Sequence, residues 1–269
     1  MSITMCPLYS GSSGNALFVQ SGDVRLLVDA GLSGKAVTEA LNTIGVEPGS
    51  LSGILVTHEH SDHIKGVGIL SRKYDLPIYA TAGTWQEMES KLGKIAPHNR
   101  VAFDKREDFY IGGLGVVPFA IPHDAADPVG YRFYAGESSV ATATDMGHFS
   151  KDVESALAGV DLLVLESNHD PDMLRCNIHY SVALQKRILG NRGHLSNDQC
   201  AEALVRLVEH GTRNIILGHL SGENNTPALA LKTSELRAEL EGMELGRDVC
   251  IDLAYRDRIG RVYTVGGAA

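Results

Sequence analysis

The sequence has no excess of positive charge: 24 Lys and Arg stand against 33 Asp and Glu, a formal net charge of −9 at pH 7. That excludes a uniformly basic domain that holds nucleic acid by neutralising phosphates over its whole surface. No run of 18 apolar residues occurs, and Met1–Leu8 has neither a basic stretch nor a long apolar one, so neither a membrane span nor a secretory leader is expected. The four cysteines, Cys6, Cys176, Cys200 and Cys250, form no CxxC pair. They read as scattered buried thiols in a reducing cytoplasm, and the protein as cytoplasmic without a membrane partner. No repeat, low-complexity tract or proline-rich linker interrupts residues 1–269, so a single domain is expected.

What is present is a repeated pattern: a short apolar run that ends in a polar, potentially liganding residue. Arg25–Val28 leads to Asp29, Gly53–Thr57 to His58, Val116–Ile121 to His123, Ser139–Thr144 to Asp145, Leu162–Leu165 to Glu166 and Asn214–Gly218 to His219. Amphipathic helices are predicted between them over Lys35–Ile44, Gly66–Tyr74, Thr84–Leu92 and Lys151–Leu157. The clearest helix starts at Ser196, where Ser196-Asn197-Asp198-Gln199 has capping-box form, and ends near Gly211. Alternating strands and helices give an α/β layered fold, in which strand ends gather at one edge and ligands bind there.

The densest signal is Thr57-His58-Glu59-His60-Ser61-Asp62-His63, an HxHxDH pattern. Imidazoles and carboxylates buried without partners lose solvation, and together they are ligands for zinc-like cations. On a loop leaving a strand, residues two apart can address one ion and the later Asp-His pair a second. A turn explains Asp29-Ala30-Gly31 equally well, and His98 and His210 read as solvated surface residues.

With Asp29, His58–His63, His123, Asp145 and His219 in this order, the chain resembles the metallo-β-lactamase superfamily of hydrolases over nearly its whole length. The resemblance implies a four-layer αββα sandwich with two divalent ions, zinc first and manganese or iron as alternatives. It implies that His58, His60 and His123 hold one ion and Asp62, His63 and His219 the other, with Asp145 bridging and Asp29 behind the ligand loop. It also implies hydrolysis by a hydroxide bridging the ions, with Asp62 among the catalytic groups.

Gly193-His194-Leu195-Ser196-Asn197 resembles an element of the superfamily's tRNA 3′-processing branch in which a histidine protonates the leaving oxygen. Glu166 occupies the position of that histidine's carboxylate partner. Ser196 and Asn197 at a helix amino terminus suit a phosphate, or else Ser196 only caps. Residues 173–197 hold Arg175, Lys186, Arg187 and Arg192 and no acid, either a solvated face or a local basic track for a polyanion. Ser10-Gly11-Ser12-Ser13-Gly14-Asn15 reads as an anion nest that uses Ser12, Ser13 and Asn15, or as a plain hairpin turn. Ser10–Asn15, Glu166-Ser167-Asn168-His169-Asp170 and Gly193–Asn197 together resemble the exonuclease-like YycJ/WalJ branch.

Between His123 and Asp145 lie 21 residues and between Asp145 and His219 lie 73. These gaps are too short for a tRNA-gripping arm or the large inserted domain of RNase J-like enzymes. The expected activity is therefore a dimetal phosphodiesterase acting on DNA, exonuclease-like, with nucleic acid as partner. A thioester, lactone or small-phosphodiester hydrolase is the alternative, and a non-catalytic metal-holding or di-iron redox protein ranks third.

Overall fold

The computed structural model describes residues 1–267. One mixed sheet is built from β1 (Ser2–Tyr9), β2 (Ala16–Ser21), β3 (Val24–Val28), β4 (Gly53–Leu55), β5 (Ile78–Thr81) and β6 (Arg100–Phe103), in that spatial order. The last strand, Tyr263–Gly266, pairs with β1 on its free edge. A second sheet runs β7 (Phe109–Ile111), β8 (Leu114–Ala120), β9 (Val129–Ala135), β10 (Ser138–Ala143), β11 (Leu162–Glu166), β12 (Asn214–Gly218), β13 (Cys250–Leu253). β1 to β3 pair antiparallel and β3 to β6 parallel; β7 to β10 pair antiparallel and β10 to β13 parallel.

The helices are α1 (Gly34–Thr43), α2 (Ser61–Ile64), α3 (Val67–Tyr74), α4 (Ala82–Leu92), α5 (Lys151–Leu157), α6 (Pro171–Cys176), α7 (Val182–Ile188), α8 (Asn197–Glu209) and α9 (Pro227–Leu240). Three apolar cores separate four layers. Leu27, Ile54 and Ile78 of the first sheet meet Val37, Leu41, Leu70 and Met88 of α1, α3 and α4. Leu26, Leu55, Tyr131, Phe133, Val140 and Val164 fill the space between the sheets. Leu163, Leu165 and Ile215 of the second sheet meet Val153, Leu204 and Leu207 of α5 and α8. This is the expected αββα sandwich. Period-2 strands buried on both faces and period-3.6 helices buried on one leave no other economical stacking.

The predicted helices are present with shifts of one or two residues, and the capping box at Ser196 forms in full, with the Gln199 side chain accepting from the Ser196 backbone N–H. Gly211 adopts φ 96°, as a residue just past a helix does. The periodicity misses α2, α6, α7 and α9; in α2 a stretch expected as loop is one helical turn that carries Asp62 and His63. In α9 the buried positions are the small residues Ala230, Ser234 and Ala238, while Leu236 and Leu240 are exposed, although Thr226 as cap followed by Pro227 marks its start. The cysteine expectation needs correction: Cys6 and Cys200 are buried, but Cys176 closes exposed α6 and Cys250 opens the edge strand β13, so both are exposed.

Candidate metal centre

Strand ends from both sheets converge on one cleft. Asp29 follows β3, His58 lies just past β4 and His123 just past β8; Asp145 follows β10, Glu166 ends β11 and His219 follows β12. Four non-glycine residues among those described have positive φ, and three of them are Asp29 (60°), Asp145 (63°) and His219 (55°). A left-handed residue directly after a strand turns its side chain back across the strand end. For His219 that conformation costs about 1–2 kcal/mol. It is held because Ser10 Oγ accepts from the His219 N–H at 2.8 Å and Asn168 Nδ2 donates to the His219 carbonyl at 2.9 Å. Gly31 is required for a different reason. A Cβ there would overlap the Asp62 carbonyl, so only glycine lets the β3–α1 loop lie against the ligand loop.

Among the described residues four side-chain groups bring potential ligand atoms together; one is Asp145, Glu166, His194 and His219, and the other three overlap into one cluster. In His58, His60 and His123, His58 Nε2 lies 3.1 Å from His60 Nδ1, and His60 Nδ1 lies 3.3 Å from His123 Nε2. Tetrahedral Zn–N bonds of ~2.0 Å place ligand atoms about 3.3 Å apart, so these nitrogens fit one shared ion. In Asp62, His63 and His219, Asp62 Oδ2 stands 3.6 Å from His63 Nε2 and 3.7 Å from His219 Nε2. Asp145 joins His58 and His63, one residue from each set, with Oδ2 3.4 Å from His63 Nε2. Asp145 Oδ2 and His219 Nε2 are buried without any hydrogen-bond partner. Buried polar atoms are rarely left so, and cations between the sets would satisfy both. The donor set therefore fits two divalent ions.

His63, His123, His194 and His219 are aimed from behind. Asp29 Oδ2 accepts from His63 Nδ1 at 2.8 Å and from Thr57 Oγ1 at 2.8 Å, while Asp29 Oδ1 accepts from the Thr57 N–H at 2.9 Å. His123 Nδ1 donates to the Gly193 carbonyl at 3.1 Å. Glu166, fully buried, accepts from the Met146 and Leu195 N–H groups on Oε2. Its Oε1 lies 2.8 Å from His194 Nδ1 and 2.9 Å from His219 Nδ1. One glutamate thus orients both His194 and His219, and the second tie carries no sequence signal. Such hydrogen bonds fix the tautomer that leaves the opposite nitrogen free for a ligand.

Electrostatics follow the same wiring. Burial pushes Glu166 up, but His194 and His219 outweigh it and bring its carboxyl down to about 2. Burial pulls His219 down, and Asp145, Asp62 and Glu166 overcome that and lift it to about 10. His63 likewise resists its burial because Asp145, Asp29 and Asp62 hold it well above its ordinary value. Burial and the neighbouring His63, His123 and His60 outweigh Asp145 and hold His58 well below its ordinary value.

The cleft is a cavity of about 340 Å³ lined by His60, Asp62, His123, Asp145, His194 and His219 together with Ser12. Of the residues expected at a phosphate, Ser12 alone lines it. Ser13 is exposed on the loop between β1 and β2. Asn15 turns inward, its Oδ1 accepting from the Gly11 N–H at 2.9 Å and its Nδ2 lying 3.1 Å from His63 Nε2. Ser196 is engaged in its cap, and buried Asn197 accepts from Ser167 Oγ and exchanges amide hydrogen bonds with Asn225. These residues brace the site instead of facing a ligand, because the helix amino terminus is buried under the His169–Ser196 bridge. Two of the four cations of the basic track pair with acids, and a third is tied to carbonyls. Arg187 pairs with Asp124, Arg175 with Asp172, and Arg192 donates to the His123 and Ala125 carbonyls.

His169, unassigned by sequence, is buried with neither ring nitrogen hydrogen-bonded, and burial drops it to about 4.

The beta-lactamase superfamily domain model matches residues 24–220. The chain is 40% identical over 246 residues to Exodeoxyribonuclease YycJ of Bacillus anthracis, covering 91% of this chain and 93% of that one. It is 43% identical over 228 residues to Exodeoxyribonuclease WalJ of Streptococcus pneumoniae, covering 84% of each. Among solved structures, the metallo-β-lactamase fold protein YhfI of Bacillus subtilis superposes with a TM-score of 0.73 over 97% of this chain and 99% of that one, at 17% identity. The human short-form tRNase Z superposes with a TM-score of 0.63 over 96% and 98%, at 16% identity. At such identities these two structures speak for the fold alone. Ligand-bearing strand ends, sandwich and matched sequence agree: the chain belongs to the metallo-β-lactamase superfamily, as a metal-dependent hydrolase.

Proposed function

We propose that the protein is a dimetal phosphodiesterase that hydrolyses DNA, in the manner the names of its YycJ and WalJ relatives describe. The observation that carries this reading is the His194–Glu166 pair, 2.8 Å apart, at the rim of the cation-binding cleft. His58, His60 and His123, and Asp62, His63 and His219, together with Asp145, would hold two divalent ions, which when bound would supply positive charge for phosphoryl oxygens and activate water. His194, about one-fifth exposed in its side chain, is the proton donor in the cleft, and Glu166 orients it from behind through Nδ1. It passes its proton to the oxygen that leaves phosphorus. Asp62 is the most open carboxylate of the cluster, with 24% side-chain exposure against 3% for Asp145, and it accepts a hydrogen bond from the incoming water.

A thioester expels a stable thiolate and needs no such acid. The test is therefore His194→Ala, assayed with metal-loaded enzyme on labelled DNA and on an aryl phosphodiester with a good leaving group. DNA cleavage falls ~10²–10⁴-fold while aryl ester hydrolysis falls far less. Equal losses on both, or wild-type protein inert on every DNA substrate but active on thioesters, defeats the reading.

A further inference from the structure

The cleft has a second wall that the metal-ligand set does not use. Tyr180, Leu184 and Ile188 line it, each half-buried and spaced four residues apart, so that Leu184 and Ile188 share one face of α7. α7 is unusual: none of its seven residues is fully buried, its first residue Val182 is 66% exposed, and Ile178 before it is 90% exposed. A helix this short is not stable on propensity, and its apolar face is only partly covered among the described residues. It is held by polar ties: Ser181 caps it, Gln185 Nε2 donates to the Asn177 and Tyr180 carbonyls, and Arg187 pairs with Asp124. The His194 N–H donates to the Ile188 carbonyl at 3.0 Å, which ties the wall to the proposed general acid. Apolar side chains kept open to solvent beside a catalytic cluster mark a surface that a ligand covers.

We propose that this wall is a nucleobase subsite that receives the base beside the scissile phosphate, with Tyr180 as its stacking residue. The proposal rests on the DNA-hydrolase reading above. Wall and cluster bound the same 340 Å³ cavity, so a base on the wall leaves its own phosphate at the metal-ligand edge. The side chains are half-buried rather than enclosed, which suits a ligand with apolar faces and a polar, wet rim. An alkyl chain would need a closed slot. Stacking on Tyr180 is sequence-tolerant, since every base offers a π face.

The test compares metal-loaded wild type, Tyr180→Ala, Tyr180→Phe and Tyr180→Leu on single-stranded DNA with and without the base next to the cleaved bond. Metal content and melting temperature establish that each variant is folded and loaded. Removing that base raises the KM of wild type about 5- to 150-fold, the range that aromatic stacking of one base implies. Tyr180→Ala raises KM similarly on intact DNA, with kcat little changed, and no longer distinguishes the abasic strand. Tyr180→Phe behaves as wild type and Tyr180→Leu falls between. If wild type cleaves DNA but ignores both base removal and Tyr180→Ala, the subsite is wrong while the nuclease reading stands. If Tyr180→Leu equals Tyr180→Phe, the wall is a plain apolar surface and the stacking role is overturned. If wild type cleaves no DNA, the nuclease reading has failed before the subsite is reached.

Discussion

Two parts of one cleft are built on opposite terms. The ligand cluster stands on strand ends and α2, nearly every side chain is buried, and His63, His123 and His219 are fixed from behind by Asp29, Gly193 and Glu166. The α6–α7 wall opposite projects between β11 and α8 and is held by caps and surface pairs, with no buried residue in α7. The difference separates two jobs. Positioning cations and moving a proton tolerate little displacement, so they sit on the cores of the sandwich. Contact with a variable ligand tolerates more, and it is left to a weakly anchored helix.

Breaking the comparison at its rigid side has the largest effect. Asp145→Ala removes the carboxylate shared by both sets, and activity drops to background with fewer than two ions bound per chain by elemental analysis. A chelator does the same to wild type, and readdition of divalent metal restores it. Core loss is next: Leu204→Ala in α8, fully buried against the second sheet, costs about 2–5 kcal/mol in urea unfolding. Its counterpart on the weak side, Leu189→Ala, at 40% exposure, stays within about 0.5 kcal/mol. A comparable loss at Leu189 would show that the wall is structural.

Asp29→Asn keeps the shape but weakens the hydrogen bond that sets His63. Metal affinity then falls about 10–100-fold in competition with a chelating dye.

The pH dependence is the subtlest effect and has two signs. In the metal-free protein His219 titrates at about 10 and His63 well above its ordinary value, so both are protonated at pH 7. A cation must displace those protons, and its affinity therefore rises with pH between 6 and 8, by up to tenfold per unit for each proton released. The metal-free fold responds in the opposite direction. The stabilisation from charged His219 is complete below pH ~6.5, the unfolded value, and is lost as pH rises through about 10. Calorimetric proton release on metal addition checks the first, and melting of the metal-free protein across pH the second.

The site was legible in the sequence where chemistry demands a residue type in a fixed chain order. His58, His60, Asp62, His63, His123, Asp145 and His219 follow short apolar runs, and such runs end at one edge of a layered fold. Less legible were residues whose partners lie far along the chain. Asn15 and Asn197 looked like phosphate ligands because small polar residues near glycines and helix starts commonly are. Folding instead directs them to Asp62, His63 and Asn225. Likewise Arg175, Arg187 and Arg192 formed a basic run on paper, and the acid and carbonyls that engage two of them arrive from the loop after β8. α9 stayed hidden because its buried positions are small residues while Leu236 and Leu240 are exposed.

The acidic balance by itself excluded a uniformly basic domain, and the order of histidines and aspartates determined the family and marked the metal-ligand candidates. Only the tertiary structure decided that Glu166 serves His194 and His219 together, and that an apolar wall faces the cluster across one cavity. The reason is physical. A ligand type is dictated by the chemistry of its own side chain, whereas a hydrogen bond across 53 residues or a half-covered face exists only once the layers have packed.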